Sequence, residues 1–479
     1  MGGFYALFYK LTKNDRSRID DCLTTYRGGK ADCALLKLGM KDVPAFKEEK
    51  YMTAASNFRS SVHFELASVH SFNGGVDQLA KTWADVDREL SNNKDFGIQI
   101  KKGVGFFQKN LDSLLSDKRA PLDRAKKIYR FMQHWYSWDG YTGTQCAKGI
   151  KDAFEARKGN VGDINLSLIA AMQAAGLDAC PVLVSTRDNG LPEDLFPVIS
   201  DFNYVLARLE LGEKTYLLDA TRPVLPFGVF PMACINGRGR VFYNDKPSDW
   251  EPIVAPVSQK VVYMANLDLD SAGQVSGTVT QSYYGYAALA KREAMRNYNS
   301  KAAYLKALRG KWQDMEILDD SIDHLNDPER PLVEILTVRF KDLQSAGSGG
   351  VVFNPFFQNA VKENPFKLKE RHYPVDFGAP QEYYSVTTLR YPEGYRVLSI
   401  PVKKALALPD KGGRYVLDNS QFKNQVVIKT IMDMNRPVYA ADQYPSLKEF
   451  YNRIIQSQRA GLVLAQNSTQ PSLTDPSVK

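Results

Sequence analysis

The sequence predicts an α+β protein whose C-terminal part is rich in antiparallel strands. Apolar residues recur at helical spacing between residues 79 and 176, whereas short strand-like segments separated by turn residues follow residue 260. The chain has 479 residues, of which 44% are hydrophobic and 24% are charged, as in ordinary globular proteins. At roughly 100–200 residues per domain, about three domains are expected.

Charge and composition argue against several classes of protein. The net charge of +8 results from 62 Lys and Arg against 54 Asp and Glu, and the basic residues form no block, so a nucleic-acid partner is not expected. No apolar run approaches the ~20 residues of a membrane-spanning helix, so no transmembrane segment is expected. The five His residues are isolated and no Cys pair has zinc-site spacing, so neither a metal nor another cofactor is expected.

Composition and periodicity divide the chain into four segments. We expect a partial N-terminal β segment with a linker, a core with preceding helices, a β-rich domain that resembles a sandwich, and a disordered Ser- and Thr-rich tail. Their bounds are 1–78, 79–258, 259–465 and 466–479. The N-terminus lacks the cationic and apolar regions of a signal peptide, and its abrupt start suggests that an upstream segment is missing.

The cysteines do not decide whether the protein is exported. Cys22 and Cys33 lie in a polar stretch that contains glycine, where a disulfide would fit an exported protein and two free thiols fit equally well. Cys180 lies in a run that reads as a buried strand, and we expect it, like Cys234, to act as a small buried hydrophobe.

Helices are predicted through most of residues 79–135. Trp83, Val86 and Leu90 recur at helical spacing, and a second apolar series runs through residues 106–115. A third helix is expected to begin near Pro121, because proline is favoured at the first helical position.

A helix that is apolar on nearly every side is predicted to end at Gly176, and a further helix precedes it across the Lys158-Gly159-Asn160 break. Such a helix is expected to be buried at the centre of a domain. Strands are expected to follow it at 179–186, 202–211 and 214–218.

The C-terminal region is predicted to be built mostly of strands, with a helical pair at 286–311 and a last helix at 447–457. The predicted strands are 261–269, 274–284, 331–340, 383–389, 395–400, 413–419 and 425–432.

Four short runs in the middle third carry the strongest information about identity. They are Gly159-Asn160-Val161-Gly162-Asp163-Ile164-Asn165, Pro181-Val182-Leu183-Val184-Ser185-Thr186, Phe202-Asn203-Tyr204-Val205 and Leu218-Asp219-Ala220-Thr221. Their order and spacing over about 120–245 resemble the transglutaminase-like superfamily, which has a papain-like core. The resemblance is closest to bacterial exported proteins in which this core lies between β-domains of unknown function, and it implies export to the periplasm or cell surface.

The resemblance also implies where catalytic residues would lie. Active members place a Cys at the N-terminus of the buried helix, where the helix dipole favours the thiolate, followed by a His base and an orienting Asp on later strands. Counting back from Gly176 puts the Cys position at Val161, with the His position at Asn203 and the Asp position at Asp219. Only the acid remains, so the resemblance predicts the fold and argues against the reaction.

Several side chains remain as candidates for ligand binding around this position. In an alternative interpretation they are structural: Asp163 caps the helix, Asn165 satisfies buried backbone groups, and Asp219 bonds to Asn203. Aromatic residues at the end of the third helix could stack on a sugar. The candidates are Asp163, Asn165, Asn203, Tyr204, Asp219, Trp135 and Trp138.

These observations lead to one expected function and two alternatives. We expect a non-catalytic, exported binding or scaffold protein for peptides, glycans or cell-envelope partners. The first alternative is a thiol-dependent transglutaminase or peptidase with Cys146 as a relocated nucleophile, and the second is a purely structural envelope module.

Overall fold

The structure is a computed structural model that divides into two compact units. The first unit comprises residues 1–221 and 233–253, and the second comprises 222–232 and 254–479. The described residues are 45–59, 81–111, 120–193, 196–312, 314–341, 343–345 and 350–467, with strand segments at 7–8, 15–26, 29–40, 63–64, 68–70 and 75–78.

Several sequence predictions lie wholly or partly outside these residues, including parts of the N-terminal segment 1–78 and residues 112–115 of the second apolar series. Of the predicted C-terminal tail, only residues 466 and 467 are described, and the strand that precedes them extends to residue 466. The side chains of Cys22 and Cys33 also lie outside the described residues, although the two positions face each other in the backbone register of an antiparallel pair.

The helices of the first unit follow the predicted periodicity. Thr82 caps the first of them through a reciprocal pair of hydrogen bonds with Asp85, and Pro121 occupies the first turn of the third. The described helices are α1 Trp83–Asn92, α2 Gly97–Asn110, α3 Pro121–Trp135, α4 Ile150–Ala156 and α5 Val161–Ala174.

The helix α5 forms the centre of the first unit. Every residue from 161 to 172 is buried, because the helix is apolar on nearly every side and packs against other helices and a sheet. Gly176 follows its end with a positive φ of 71°, a conformation that glycine adopts without strain.

The first unit contains a five-stranded antiparallel sheet in the order β11-β10-β9-β12-β13. The remaining described strands of this unit pair in twos. The strands are β1 Leu7–Phe8, β2 Asp15–Tyr26, β3 Gly29–Met40, β4 His63–Phe64, β5 Ser68–His70, β6 Val76–Gln78, β7 Ser137–Trp138, β8 Lys158–Gly159, β9 Asp178–Val184, β10 Tyr204–Leu211, β11 Lys214–Leu218, β12 Arg238–Val241 and β13 Asp249–Pro252.

The second unit is built on an eight-stranded sheet in the order β16-β17-β15-β14-β21-β25-β24-β23. Neighbouring strands are antiparallel, except that β14 and β21 run parallel. A four-stranded sheet, β18-β19-β27-β22, accompanies it. The strands are β14 Gln259–Leu269, β15 Val275–Tyr284, β16 Met315–Asp323, β17 Leu332–Phe340, β18 Gln344–Ser345, β19 Val351–Phe353, β20 Val375–Asp376, β21 Gln381–Arg390, β22 Tyr395–Ser399, β23 Lys404–Ala407, β24 Gly413–Phe422, β25 Gln425–Met434, β26 Val438–Tyr439 and β27 Leu462–Gln466.

The described helices of the second unit are α6 Gly285–Arg296, α7 Lys301–Lys311 and α8 Tyr444–Gln458. None of the described helices of the chain combines the length and the apolar character that crossing a bilayer requires. The α+β prediction is therefore confirmed, with a mainly antiparallel, β-rich C-terminal part.

The buried side chains of Arg292 and Glu334 hold helix α6 in the second unit. Arg292 is almost fully buried, and its guanidinium donates to the carbonyl oxygens of His324, Asp327 and Arg330 in the turn between β16 and β17. The preceding residue, Lys291, donates to the carboxylate of Glu334 at 3.0 Å.

Glu334 is wholly buried on β17, and it also accepts a hydrogen bond from the Tyr304 hydroxyl of α7. One carboxylate thus connects both helices of the pair to the sheet. Removing this carboxylate would leave the ammonium group of Lys291 without its counter-ion. Since a buried charge is stable only when it is paired, the fold should lose stability.

We predict that Glu334→Ala lowers the free energy of unfolding by about 3 kcal/mol, since a partly buried ammonium group loses its partner. Chemical denaturation of the full chain would measure the change. Glu316→Ala is the matched control, because Glu316 makes an exposed ion pair with Arg339 at 3.7 Å and its loss should cost less than about 1 kcal/mol. Equal effects of the two variants would contradict a structural role for the Glu334 carboxylate.

Candidate functional site

The N-terminus of α5 is the position at which the resemblance to the transglutaminase-like superfamily would place a nucleophile. Asn160 caps the helix: its side-chain oxygen accepts from the Asp163 amide at 2.7 Å, and Asp163 Oδ2 accepts from the Asn160 amide at 3.1 Å. Asp163 is fully buried, so it acts as a helix cap and offers no exposed carboxylate to a ligand.

The other carboxylate oxygen of Asp163 holds the loop that precedes α4. Asp163 Oδ1 accepts from the amides of Lys148 and Gly149, each at 3.1 Å. The Asn160 side-chain amide donates to the Gln145 carbonyl at 3.1 Å. These bonds draw the loop at 145–149, here called the sealing loop, over the start of the helix.

Val161 and Gly162 show how tightly the sealing loop covers the helix tip. The side chain of Val161 has no exposed surface, and its amide donates to the Tyr141 carbonyl at 3.2 Å. A Cβ on Gly162 would lie 2.0 Å from the Gln145 carbonyl oxygen, so only glycine fits there. A substrate carbonyl therefore has no access to the helix tip in this structure.

Asp219 is buried beneath this region, and its carboxylate is fully engaged. Oδ1 accepts from the Thr221 amide at 2.7 Å, and Oδ2 accepts from the Tyr204 hydroxyl. Burial first, and then the negative charge of Asp219, raises the pKa of Tyr204 well above its usual value. Tyr204 consequently remains a proton donor and cannot serve as a general base near neutral pH.

Asn165 joins α5 to the strand that carries Asp219. Its side-chain amide donates to the Val205 carbonyl at 2.8 Å, and its side-chain oxygen accepts from the Ala220 amide at 2.9 Å. The Asp219 carboxylate lies 3.4 Å from the same amide nitrogen. Asn165 therefore satisfies buried backbone groups, as the structural interpretation of the sequence expects.

The side chain of Asn203 bonds to Thr186, whereas the structural interpretation of the sequence expected a hydrogen bond to Asp219. Its side chain forms a pair of bonds with Thr186, accepting from the amide at 2.9 Å and donating to the hydroxyl at 2.8 Å. The side chain that Asp219 holds belongs to the next residue, Tyr204. The side chains of adjacent residues in an extended segment point in opposite directions. The side chain that reaches Asp219 is therefore that of Tyr204, and the side chain of Asn203 reaches Thr186 instead.

Cys146 lies within the sealing loop and beside Asp163. It is only 6% exposed, and its amide donates to the Asp95 carbonyl at 2.9 Å. Burial first, and then the carboxylate of Asp163, raises the pKa of the Cys146 thiol well above its ordinary value. His134 lies on the exposed side of α3, where its Nδ1 is 2.7 Å from the Arg130 carbonyl oxygen.

Trp135 is not available for stacking on a sugar. The rings of Phe154 and Phe131 both stack on the Trp135 ring, with centroid distances of 4.6 Å and 5.3 Å. The Arg157 guanidinium lies 4.1 Å from the ring centroid, and the indole nitrogen donates to the Phe154 carbonyl. The aromatic and cationic neighbours thus use the faces that a sugar would need.

Trp138 and Tyr141 form an aromatic edge directly above the helix tip. The Trp138 indole nitrogen donates to the Tyr141 carbonyl at 2.9 Å, and Asp139 accepts from the Tyr141 amide at 2.9 Å. Tyr141 is 74% exposed, although its carbonyl is also bonded to the amide of Val161. This is the accessible surface of the candidate site.

A cavity of about 510 Å³ lies at the other end of α5. It is formed by the start of α3, the residues after α5 and the turn between β10 and β11, with Arg124, Asp178 and Glu210 as its charged residues. In the part of the chain that the structure describes, no three His, Cys, Asp or Glu side chains come together as a metal site would require.

The sealing loop was missed by the sequence analysis, although one signal could have indicated it. Gly162 lies in the first turn of a largely apolar helix. Glycine destabilises a helix, so its presence there indicates that another segment of the chain approaches too closely for a side chain. Nothing in the sequence specifies that the approaching group is the Gln145 carbonyl.

Three comparisons with known proteins bear on this architecture. Residues 349–464 match the family model of a domain of unknown function with a solved structure, DUF3858. A comparison with curated proteins gave no match. A crystal structure from Parabacteroides distasonis, described as a "putative protease", superposes with a TM-score of 0.52 at 10% sequence identity, covering 94% of this chain and 69% of the other.

These similarities support the fold and leave the activity open. The matched domain covers part of the second unit, whereas the superposition extends over nearly the whole chain. At 10% identity the likeness concerns the chain path alone, because function depends on the residues of a site.

We predict that Cys146 resists alkylation in the native protein. Since its raised pKa keeps the thiol protonated, labelling by iodoacetamide at pH 7–8 should be at least about 100-fold slower than in the denatured chain. The labelling rate should also lack an ionisation step near pH 8.5, the ordinary thiol value. Peptide mapping by mass spectrometry would measure both, and rapid native labelling of Cys146 would restore it as a candidate nucleophile.

Proposed function

We propose that the protein is a non-catalytic relative of the transglutaminase-like superfamily that acts as an exported binding or scaffold module. One observation carries the proposal: the helix tip that would hold a nucleophile carries a buried Val161 beneath the sealing loop. Catalysis by thiolate attack needs an exposed, ionised sulfur at that tip.

The residues at the expected acid–base positions support the same proposal. The acid position is retained in Asp219, but its partner is the hydroxyl of Tyr204, which holds its proton. A tyrosine in this state can stabilise the core through a hydrogen bond, whereas general-base catalysis requires a group that accepts a proton near neutral pH. The pair therefore supports a structural use of the former catalytic position.

The enzyme alternative depends on Cys146, and its environment weighs against it. The thiol is buried, and the neighbouring Asp163 carboxylate disfavours the thiolate. The "putative protease" label belongs to the similar crystal structure, and this chain's own residues do not supply the activated nucleophile that such an activity needs.

The aromatic edge made by Trp138 and Tyr141 gives the binding proposal a location. An exposed tyrosine ring offers an apolar face and a hydroxyl, the combination that suits sugars and peptide side chains. Asp139 lies in the same turn and adds a hydrogen-bond acceptor. We propose that a glycan or peptide of the cell envelope contacts this edge, with export to the periplasm or cell surface.

We predict that Val161→Cys creates a thiol that stays unreactive in the folded protein, because the sealing loop covers the position. Labelling at residue 161 with a maleimide should be at least about 100-fold slower than at an exposed cysteine. Leu191→Cys is the matched control, since Leu191 is 55% exposed in the same unit. Fast labelling at residue 161, or transfer of an acyl group from a glutamine peptide by the wild type, would contradict the proposal.

We predict that Tyr141→Ala weakens binding about tenfold to whichever glycan or peptide retains the wild-type protein on an array, because stacking on an aromatic ring is lost. Biolayer interferometry against the retained molecule would measure the change. Tyr298→Ala, in the other unit and 39% exposed, should leave binding unchanged. Absence of retention by the wild type would favour a purely structural module.

A further inference from the structure

A row of buried polar side chains crosses the face of the eight-stranded sheet on which the helices of the second unit pack. Five neighbouring strands, β17, β15, β14, β21 and β25, each contribute one residue, and each residue lies directly opposite the next in the backbone register. Core-facing positions of a sheet are ordinarily apolar. The members of this polar row are Glu334, Gln281, Tyr263, Ser385 and Thr430, and none is more than 7% exposed.

Other segments of the second unit cover the polar row. Helices α6 and α7 contact its first member, Glu334. The Phe357 ring, in the segment after β19, meets the Tyr263 ring edge-on at a centroid distance of 5.5 Å. Helix α8 reaches the neighbouring strand β24, where the Ser457 hydroxyl donates to the Tyr415 hydroxyl at 3.3 Å. The row is therefore shielded from bulk solvent, and its polar groups need partners inside the protein.

Hydrogen bonds within the protein engage the first two members of the row. Glu334 accepts from Lys291 at 3.0 Å and from the Tyr304 hydroxyl. Gln281 Oε1 accepts from the Tyr283 hydroxyl at 2.6 Å. Because the carboxylate of the row already has its counter-ion, a charged ligand would find no unpaired charge among the members of the row.

The remaining part of the row contains hydroxyl groups that lack such bonds. The hydroxyl oxygens of Tyr263 and Thr430 are buried, and neither has a hydrogen-bond partner among the described groups of the protein. The same is true of the Tyr383 hydroxyl, which lies on the same face as Ser385, two residues earlier on β21. These three groups, here called the unpaired hydroxyls, belong to the adjacent strands β14, β21 and β25.

The chemistry of the unpaired hydroxyls indicates which ligand they suit. Burial first, and then Tyr383 and Tyr283, raise the pKa of Tyr263 well above its ordinary value, so this hydroxyl stays protonated. A protonated hydroxyl donates one hydrogen bond and can accept others. Leaving three such groups buried and unbonded would destabilise the fold. A small neutral molecule that both donates and accepts hydrogen bonds is therefore the ligand that fits them.

We propose that ordered water binds among the hydroxyls of Tyr263, Tyr383 and Thr430 and bridges strands β14, β21 and β25. The backbones that carry Tyr263 and Thr430 are two strands, or about 10 Å, apart. A water molecule between them extends the reach of each hydroxyl by about 2.8 Å, and buried water typically makes about three hydrogen bonds to groups that otherwise lack a partner. The inference is independent of the proposed function, because these residues lie in the second unit, whereas Val161 and Asp219 lie in the first.

Removing one hydroxyl while keeping its ring tests the proposal. If the Tyr263 hydroxyl binds water, Tyr263→Phe leaves the water one hydrogen bond short, and the equilibrium constant for unfolding should rise about fivefold. If the hydroxyl has no partner, the same change removes a buried polar group and should stabilise the protein instead. Urea denaturation of the full chain measures this constant. Tyr284→Phe is the matched control, because Tyr284 is 37% exposed on the same sheet and its change should alter the constant by less than about twofold.

A second variant tests whether the water is shared. Thr430→Val removes the hydroxyl at nearly constant shape and should also raise the unfolding constant about fivefold. Because both changes disrupt one water site, the double variant should raise the constant by clearly less than the product of the two single effects, about 25-fold. A high-resolution crystal structure should show water within about 3 Å of the Tyr263 hydroxyl.

Three results would each overturn the proposal. The first is a Tyr263→Phe variant that is at least as stable as the wild type. The second is a double variant whose effect equals the product of the single effects, since the two hydroxyls would then act independently. The third is a high-resolution crystal structure in which no water lies beside the unpaired hydroxyls.

Discussion

Both oxygens of the Asp163 carboxylate accept hydrogen bonds from main-chain amides, one from the residue before helix α5 and two from the sealing loop. A buried carboxylate is stable only with such partners, so the loop and the helix tip hold each other in place. The same carboxylate disfavours ionisation of Cys146, which lies beside it. One side chain thus holds the sealing loop and caps the helix, and it adds to the burial that raises the pKa of the nearest thiol.

The contrast with a catalytic arrangement is electrostatic. The N-terminus of a helix ordinarily stabilises a negative charge, such as that of a thiolate nucleophile. Here the Asp163 amide at the start of the helix donates to the Asn160 side chain, and the Asp163 carboxylate itself lies in the first turn, so structural groups already occupy the helix N-terminus. A sulfur placed nearby meets an existing negative charge and a low-dielectric environment, and both favour the neutral thiol.

Much of the fold was predictable because its signals are local. The apolar periodicity of α5, its end near Gly176 and the alternation of the C-terminal strands need no knowledge of distant residues. The strands β16 and β23 were missed, since both lie at the edges of the large sheet, where exposed polar residues weaken the alternation. The site was less predictable. The side chain bonded to Asp219 is that of Tyr204, one residue after the expected Asn203. The sealing loop is held by a hydrogen bond between Asn160 and the carbonyl of Gln145, fifteen residues earlier in the chain, which no local pattern indicates.

The division of the chain into two units has a consequence for dissecting the protein. Residues 222–232 belong to the second unit, yet they lie between strands β11 and β12 of the first. Within the second unit the Phe227 amide bonds to Glu329, and the Phe230 carbonyl accepts from Tyr286. No single cut therefore yields two intact pieces. A fragment that ends at residue 221 lacks strands β12 and β13 of its own sheet. A fragment that ends at residue 253 keeps residues 222–232 but loses the rest of the second unit, with which they pack. Because the chain passes between the two units at three points, truncation at one position cannot separate them, and a deletion or gene fusion would have to preserve all three.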